Sequence, residues 1–190
     1  TFGFGTNNDW PAQSIVQSNG GRILDDNQQP AMDSPEAIAA MQTIADLHKD
    51  GSLLSAKPAD VRAAFVAGSI PVFITSIAGL GGLRTDASFE FNTSPFPVFT
   101  GKPRRMSSGG SFIGCYAREV EPQRAAWEFL KFAVSQEGTE IWMKTGYLNA
   151  TTFEVAQLPG QEAAYTHLSE GVTRETAWPG ARGGEMQKLW

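Results

Sequence analysis

A chain of 190 residues with 41% hydrophobic and 18% charged residues has the balance of a globular protein, with material for one domain or two. Its formal net charge of −5 excludes the charge-rich, hydrophobic-poor composition of disordered chains. The same acidity argues against broad nucleic-acid binding, which needs basic surface to release counterions.

The chain opens in a Gly/Asn-rich stretch without an initiator Met. Trp10 to Val16 is a mixed apolar run that stops at the turn Ser18-Asn19-Gly20-Gly21. Ile23-Leu24 before Asp25-Asp26-Asn27 reads as a short extended piece and a turn. The clearest helix follows. Asp33 or Ser34 caps it, Pro35 suits its first turn, Ile38, Met41, Ala45 and His48 recur at helical spacing, and Gly51 stops it. His48 on that stripe reads as a partly buried spacer. A shorter helix is predicted from Pro58 to Gly68, and Ile70 to Thr75 is a continuous apolar run with the length of a buried strand. It empties into Ser76-Ile77-Ala78-Gly79-Leu80-Gly81-Gly82, after which the chain turns into a helix.

Phe89 to Phe99 carries alternating prolines at Pro95 and Pro97, so it cannot be a central strand and is expected to be an extended connector or an edge segment, with a crossing between lobes as the leading candidate. Lys102, Arg104 and Arg105 form the densest basic patch and read as a solvated loop. Ser111 to Ala117 is predicted as a strand containing Cys115 as a small buried hydrophobe. Because Cys115 is the sole cysteine, there is no internal disulfide and no multi-cysteine metal site. Pro122 opens a helix whose inward face is Ala125, Ala126, Phe129, Leu130 and Ala133; another, through Ile141 and Trp142, ends at Gly146. Gln161 to Ser169 is the last predicted helix, before a Gly/Pro/Trp-rich stretch ending on Lys188-Leu189-Trp190. Strands alternate with helices, which indicates an α/β fold. No apolar run approaches the ~18 residues of a membrane span, and no signal-peptide pattern is present. Both ends read as cut from something longer.

Patterns for catalysis fail. There is no G-x-S-x-G, no H-E-x-x-H and no P-loop, and Asp25-Asp26-Asn27 lacks the remaining calcium-loop ligands. Gly79-Leu80-Gly81-Gly82 misses the dinucleotide fingerprint, whose third glycine would fall at Arg84. What remains suits binding. A strand feeding the Ser76–Gly79 turn presents backbone N–H groups and a hydroxyl, or is simply a tight turn. Ser108-Gly109-Gly110 has the same character, since paired glycines let a ligand approach the backbone. Trp10, Trp178 and Trp190 lie near Gly, Pro or chain ends, where an indole can be a platform for a sugar or polyol, with buried packing the default for any one of them; Trp127 and Trp142 lie in predicted helices and read as structural.

These segments, taken in order, resemble family 1 extracellular solute-binding proteins, the ligand-capturing components of ABC importers. The likeness is carried by Ser18–Gly21, Asp33–Ala37, Ala63–Gly68 with Pro71–Ile74, Ser108–Gly110, Ala125–Phe132 and Lys144–Leu148. Asn149 stands where that family usually has proline. The resemblance implies a periplasmic-binding-protein-like two-lobe α/β fold (type II), of which this chain is mostly the C-terminal lobe. Residues 1–92 and 151–190 would build that lobe, and 93–150 would be an excursion into the N-terminal lobe that includes the hinge crossings. It also implies a monomer without cofactor, outside the cytoplasm, periplasmic or lipid-anchored, working with ABC transporter membrane subunits and catalysing nothing.

The nearest likeness is to glycerol-3-phosphate and sugar binders. It carries ligand contacts over to Trp10, to Ser76, Ala78 and Gly79, and to Gly109 and Gly110, with Trp178 as a further platform. An arginine near the end of this region can hold a phosphate in such proteins. Trp190 falls at that point here, with Arg182 eight residues earlier, which tilts the expected ligand toward a neutral sugar, a polyol or a glycerophosphodiester. The alternative is a carbohydrate-active enzyme with two carboxylates ~5–9.5 Å apart across a cleft.

Overall fold

The computed structural model describes residues 1–5, 9–110, 112–174, 178 and 185. Two of the expected ligand contacts, Arg182 and Trp190, lie outside the described residues, as does Ser111 at the start of an expected strand.

A parallel sheet of three strands organises the first body, in the order β2 (Leu53–Ala56), β1 (Phe2–Gly5), β3 (Val72–Phe73). Phe2 lies opposite both Leu53 and Val72, so the three strands start level. Helices α1 (Asp9–Ser18) and α2 (Pro35–Lys49) cover one face, where Phe4, Ile15, Val16, Ala37, Ala40 and Leu53 share a core. Helix α3 (Pro58–Val66) covers the other, where Val61, Phe65, Ile70 and Leu83 form a second core. Parallel strands covered by helices on both faces are the α/β arrangement expected from the sequence.

Helix α2 forms for the reasons its sequence supplies. Ser34 caps it, its side chain accepting the Ala37 N–H at 3.2 Å, Pro35 occupies the first turn, and Gly51 follows at φ +79°. Its buried stripe is one position out of phase with expectation. Ala37, Ala40, Met41, Ile44 and Leu47 face the core, while Ile38 and His48 are exposed. The small Ala37 side chain decides this, because Gly21 comes so close that a Cβ there would lie 3.0 Å from the Ala37 Cβ. Gly20, at φ +94°, supplies the left-handed residue that ends α1 and delivers Gly21 to that contact.

The expected buried strand over Ile70–Thr75 is instead two residues at the sheet's edge, with Val72 57% exposed. Pro71 supplies no N–H for a ladder, which suits an edge. The Phe/Pro-rich connector packs along both cores. Phe89 and Phe91 pack edge-on against Phe65 at ring-centroid distances of 5.4 and 5.5 Å, while Phe96 and Phe99 join the α1/α2 core.

Further elements are a 3₁₀ turn at Ile77–Gly79, α4 (Leu80–Asp86), β4 (Met106–Ser108), α5 (Val120–Ala133), α6 (Gln136–Met143), α7 (Glu162–Glu170) and β5 (Val172–Arg174), with β4 and β5 paired in parallel. The region 112–134 stands apart from both cores. No strand forms over 112–117, Phe112 and Tyr116 are 97% and 95% exposed, and Cys115 is exposed rather than buried. Helix α5 has a clear apolar stripe yet buries none of its residues, its contact being with α6. Trp127 and Trp142, expected to be structural, are 59% and 48% exposed; Trp142 stacks on Tyr147 with ring centroids 5.0 Å apart.

Candidate functional site

In open parallel sheets the crevice beyond the carboxyl ends of the strands is where ligands bind. Trp10 stands there, in the first turn of α1, on the connection leaving the carboxyl end of β1. It is partly buried and packs on the α1/α2 core, as do Trp178 and Ile74, the residue that follows β3. Asp9, beside Trp10, is 4% exposed, and its carboxylate sits at the positive end of α1. Pro11, in the first turn after an acidic residue, is the sequence signal for that helix start.

Gly109 and Gly110 reach the same edge through an unusual seam. Ser14 Oγ accepts the Ser107 N–H at 3.0 Å, and Ser18 Oγ accepts the Arg105 N–H at 3.0 Å. Two residues along β4 therefore match four along α1, in the opposite direction, as rises of ~3.3 and ~1.5 Å per residue require. Continuing that register puts Gly109 level with Trp10. Gly110 is exposed, and a Cβ on it would meet nothing within 4 Å, so the backbone here is open to approach. Ser14, Gln17 and Ser18, which hold β4 against α1, are positions the sequence reading missed. Gln17 Nε2 also donates to Ser107 Oγ at 3.4 Å. The available signal was two serines four residues apart, on one face of the helix.

The Ser76–Gly79 turn follows the carboxyl end of β3, as expected, but uses most of its donors internally. Ser76 Oγ accepts the Ala78 N–H at 3.3 Å, Ser76 O accepts the Gly79 N–H at 3.1 Å, and Leu80 N–H bonds Ile77 O. Gly81 N–H reaches Thr145 O at 2.9 Å. Ser76 itself is exposed and Ala78 and Gly79 are partly buried. Of the expected contacts, the register of β4 on α1 carries Gly109–Gly110 toward Trp10, Trp178 packs on the same core as Trp10, and Ser76, Ala78 and Gly79 lie beyond the adjacent strand of the same sheet. A cavity of about 300 Å³ between α4 and the start of α7, lined by Leu80, Arg84, Thr93, Gly160 and Glu162 among others, contains none of these residues.

Among the described residues no group of three His, Cys, Asp or Glu side chains could hold a metal ion. The resolved pKa shifts lie elsewhere: Asp26 lowered by Arg22, Asp50 lowered by hydrogen bonds from Ser52, and His167 lowered chiefly by burial and then by Arg104.

Comparison with known proteins gives the same picture. Residues 3–169 match the family model described as "Bacterial extracellular solute-binding protein". Among solved structures, UgpB from Mycobacterium tuberculosis in complex with glycerophosphocholine superposes with a TM-score of 0.61 at 22% identity, covering 89% of this chain and 41% of that one. A cyclo/maltodextrin-binding protein complexed with maltotetraose superposes with a TM-score of 0.54 at 19% identity, covering 88% and 43%. At these identities the likeness is one of fold, and this chain spans less than half the length of either structure. No curated protein matches.

Proposed function

The chain belongs to the bacterial extracellular solute-binding protein family, and on that premise we propose that it captures a carbohydrate-type solute for an ABC importer and catalyses nothing. The ligand is a sugar, a polyol, or a glycerol-3-phosphate or glycerophosphodiester. The observation that supports this reading is Trp10, on the core beside the carboxyl edge of the sheet, with the register of β4 on α1 carrying the open Gly109–Gly110 backbone toward it and Trp178 packed on the same core. Flat aromatic faces take the C–H faces of a sugar or polyol, and backbone groups take its hydroxyls.

The exposed apolar surface of 112–142 supports the two-lobe reading. Phe112, Tyr116, Trp127 and Phe129 lack partners in either core described here. Such a face is what an excursion into a second lobe would present, and it lies inside the 93–150 span read from the sequence as that excursion. Hinge closure then buries the ligand between the lobes. Localisation outside the cytoplasm accords with the family.

Titration of the full-length protein with maltotetraose, glycerol-3-phosphate and glycerophosphocholine, followed by Trp fluorescence and thermal midpoint, tests the proposal. A ligand present at 100 times its Kd adds about 2.7 kcal/mol of stability, an easily read shift. No response to any of the three sinks the ligand class. Turnover of maltotetraose would overturn the binding-protein reading itself.

A further inference from the structure

We infer that Gln161 is a positioning residue: it fixes the Gly146–Tyr147 backbone and, through it, the turn that carries Ser76, Ala78 and Gly79. Gln161 is fully buried just before α7. Its Oε1 accepts the Leu158 N–H at 2.8 Å, and its Nε2 donates to Gly146 O at 3.1 Å and Tyr147 O at 2.7 Å. A primary amide has two N–H groups and one carbonyl, and each of them has a backbone partner here. The side chain thus ties the loop before α7 to the segment by which the chain returns from α6.

That segment is in turn the wall against which the ligand turn sits. Thr145 O accepts the Gly81 N–H at 2.9 Å. Gly146, at φ +119°, leaves no room for a side chain: a Cβ would lie 2.8 Å from the Leu80 Cβ and would run into the Ile77 carbonyl oxygen. On the other side of the seam, a Cβ at Gly81 would lie 2.5 Å from Lys144 O. Backbone lies on backbone with no side chain between, so a shift of Gly146–Tyr147 is passed directly to Ile77–Leu80. The placement of the turn stands on geometry alone; its consequence for a ligand rests on the proposed solute capture.

The test is amide hydrogen exchange at Gly81 in the full-length protein, with Gln161→Leu, Gln161→Glu and, as a control on the same helix, Ala163→Gly. Gln161→Leu leaves two carbonyls and one N–H unpaired, and Gly81 exchange rises about ten-fold or more while α1 amides keep their protection. Gln161→Glu keeps the acceptor for Leu158 but turns a second oxygen toward two carbonyls. Its Gly81 protection, corrected for intrinsic rates, is therefore poor at pH 8 and recovers on acidification, when the protonated acid donates to one carbonyl. Gln161→Leu shows no such recovery, and Ala163→Gly leaves Gly81 near the wild-type rate. Equal Gly81 exchange in Gln161→Leu and Ala163→Gly overturns the inference. If the Leu variant does not fold, an absence of pH-dependent recovery in Gln161→Glu overturns it equally. Affinity for glycerophosphocholine or maltotetraose, whichever the wild type binds, falls about ten-fold in Gln161→Leu, a change of about 1.4 kcal/mol. Wild-type protein that binds neither probe sinks the capture proposal and leaves the exchange result to decide this one.

Discussion

Substitution of Ser14 by alanine tests the seam that brings Gly109–Gly110 to the level of Trp10. In the native structure Ser14 Oγ donates to Trp10 O at 2.8 Å and accepts the Ser107 N–H at 3.0 Å. Ser14 is fully buried and Ser107 is 9% exposed, so water has little access to the orphaned N–H. A buried donor left without its partner costs about 1–3 kcal/mol. Against this, alanine is the better helix former, by up to ~0.7 kcal/mol in an isolated helix. Ser14→Ala should therefore destabilise by about 1–2.5 kcal/mol, and at about 2–4 °C per kcal/mol for a chain of this size the thermal midpoint should fall by about 2–10 °C. Urea unfolding of wild type and variant measures it, with the midpoint moving and the slope unchanged. Ser18→Ala removes the acceptor of the Arg105 N–H, but Arg105 is exposed and water can replace the lost partner, so about 1 kcal/mol or less is expected. Because both hydroxyls hold one strand, the double variant should cost less than the sum of the two. A Ser14→Ala variant within about 0.5 kcal/mol of wild type would show that the Ser14–Ser107 bond does not hold β4, and the register argument for Gly109 would lose that support.

Two further outcomes follow from the same contacts. His167 Nε2 accepts the Phe96 N–H at 2.9 Å, which only the neutral ring can do, and burial and the Arg104 guanidinium hold its pKa below the ordinary value while Glu170 pulls the other way. With the folded pKa lowered, this stability is present above about pH 6.5 and is lost as the pH falls through that value toward the folded pKa, because the unfolded chain then binds the proton more readily. Thermal midpoints from pH 7.5 to 5 should decline less steeply in His167→Gln, and parallel declines in the two proteins would refute the assignment. Gly146→Ala should cost at least about 2 kcal/mol, combining a left-handed φ with overpacking against Ile77 and Leu80. Gly51→Ala, at φ +79° with nothing within 4 Å, should cost only about 1 kcal/mol, so similar losses at the two positions would argue against a tight seam at Gly146.

Elements were legible where one local signal decided them. The cap, proline and terminal glycine of α2 were all readable, and Pro58 marked α3. The phase of α2 was not, because Ala37 and Ala40 are buried for their smallness, opposite Gly21, and hydrophobicity ranks Ile38 above them. Helix α1 was hidden for a related reason. Sheet, α2 and β4 all pack against it, so Asp9, Gln13, Ser14 and Ser18 are buried along with its apolar residues and the periodicity disappears. Strand β2, Leu53-Leu54-Ser55-Ala56, has no β-branched residue to announce it. The surface on which the phenylalanines of the connector lie was not legible, because alternating prolines say only that a segment is extended.

Turn positions at the candidate site could be read because glycine and serine after a strand are local features. What each turn has left to offer a ligand could not be read, because that depends on residues far along the chain. The Ser76–Gly79 turn looked like a row of open N–H donors, yet Ser76, Ile77 and Thr145 take those of Ala78, Gly79, Leu80 and Gly81. Its contribution is then shape, together with the proton that the Ser76 hydroxyl still carries while its oxygen accepts from Ala78. In the proposed solute capture, Ser76 and the Trp10/Gly109 edge would be offered by different means, one by a rigid turn and one by an open backbone beside an aromatic face. A ligand spanning both must present a hydroxyl or phosphate oxygen to the first and an apolar ring or chain face to the second. Sugars, polyols and glycerophosphodiesters do so, and purely apolar solutes do not.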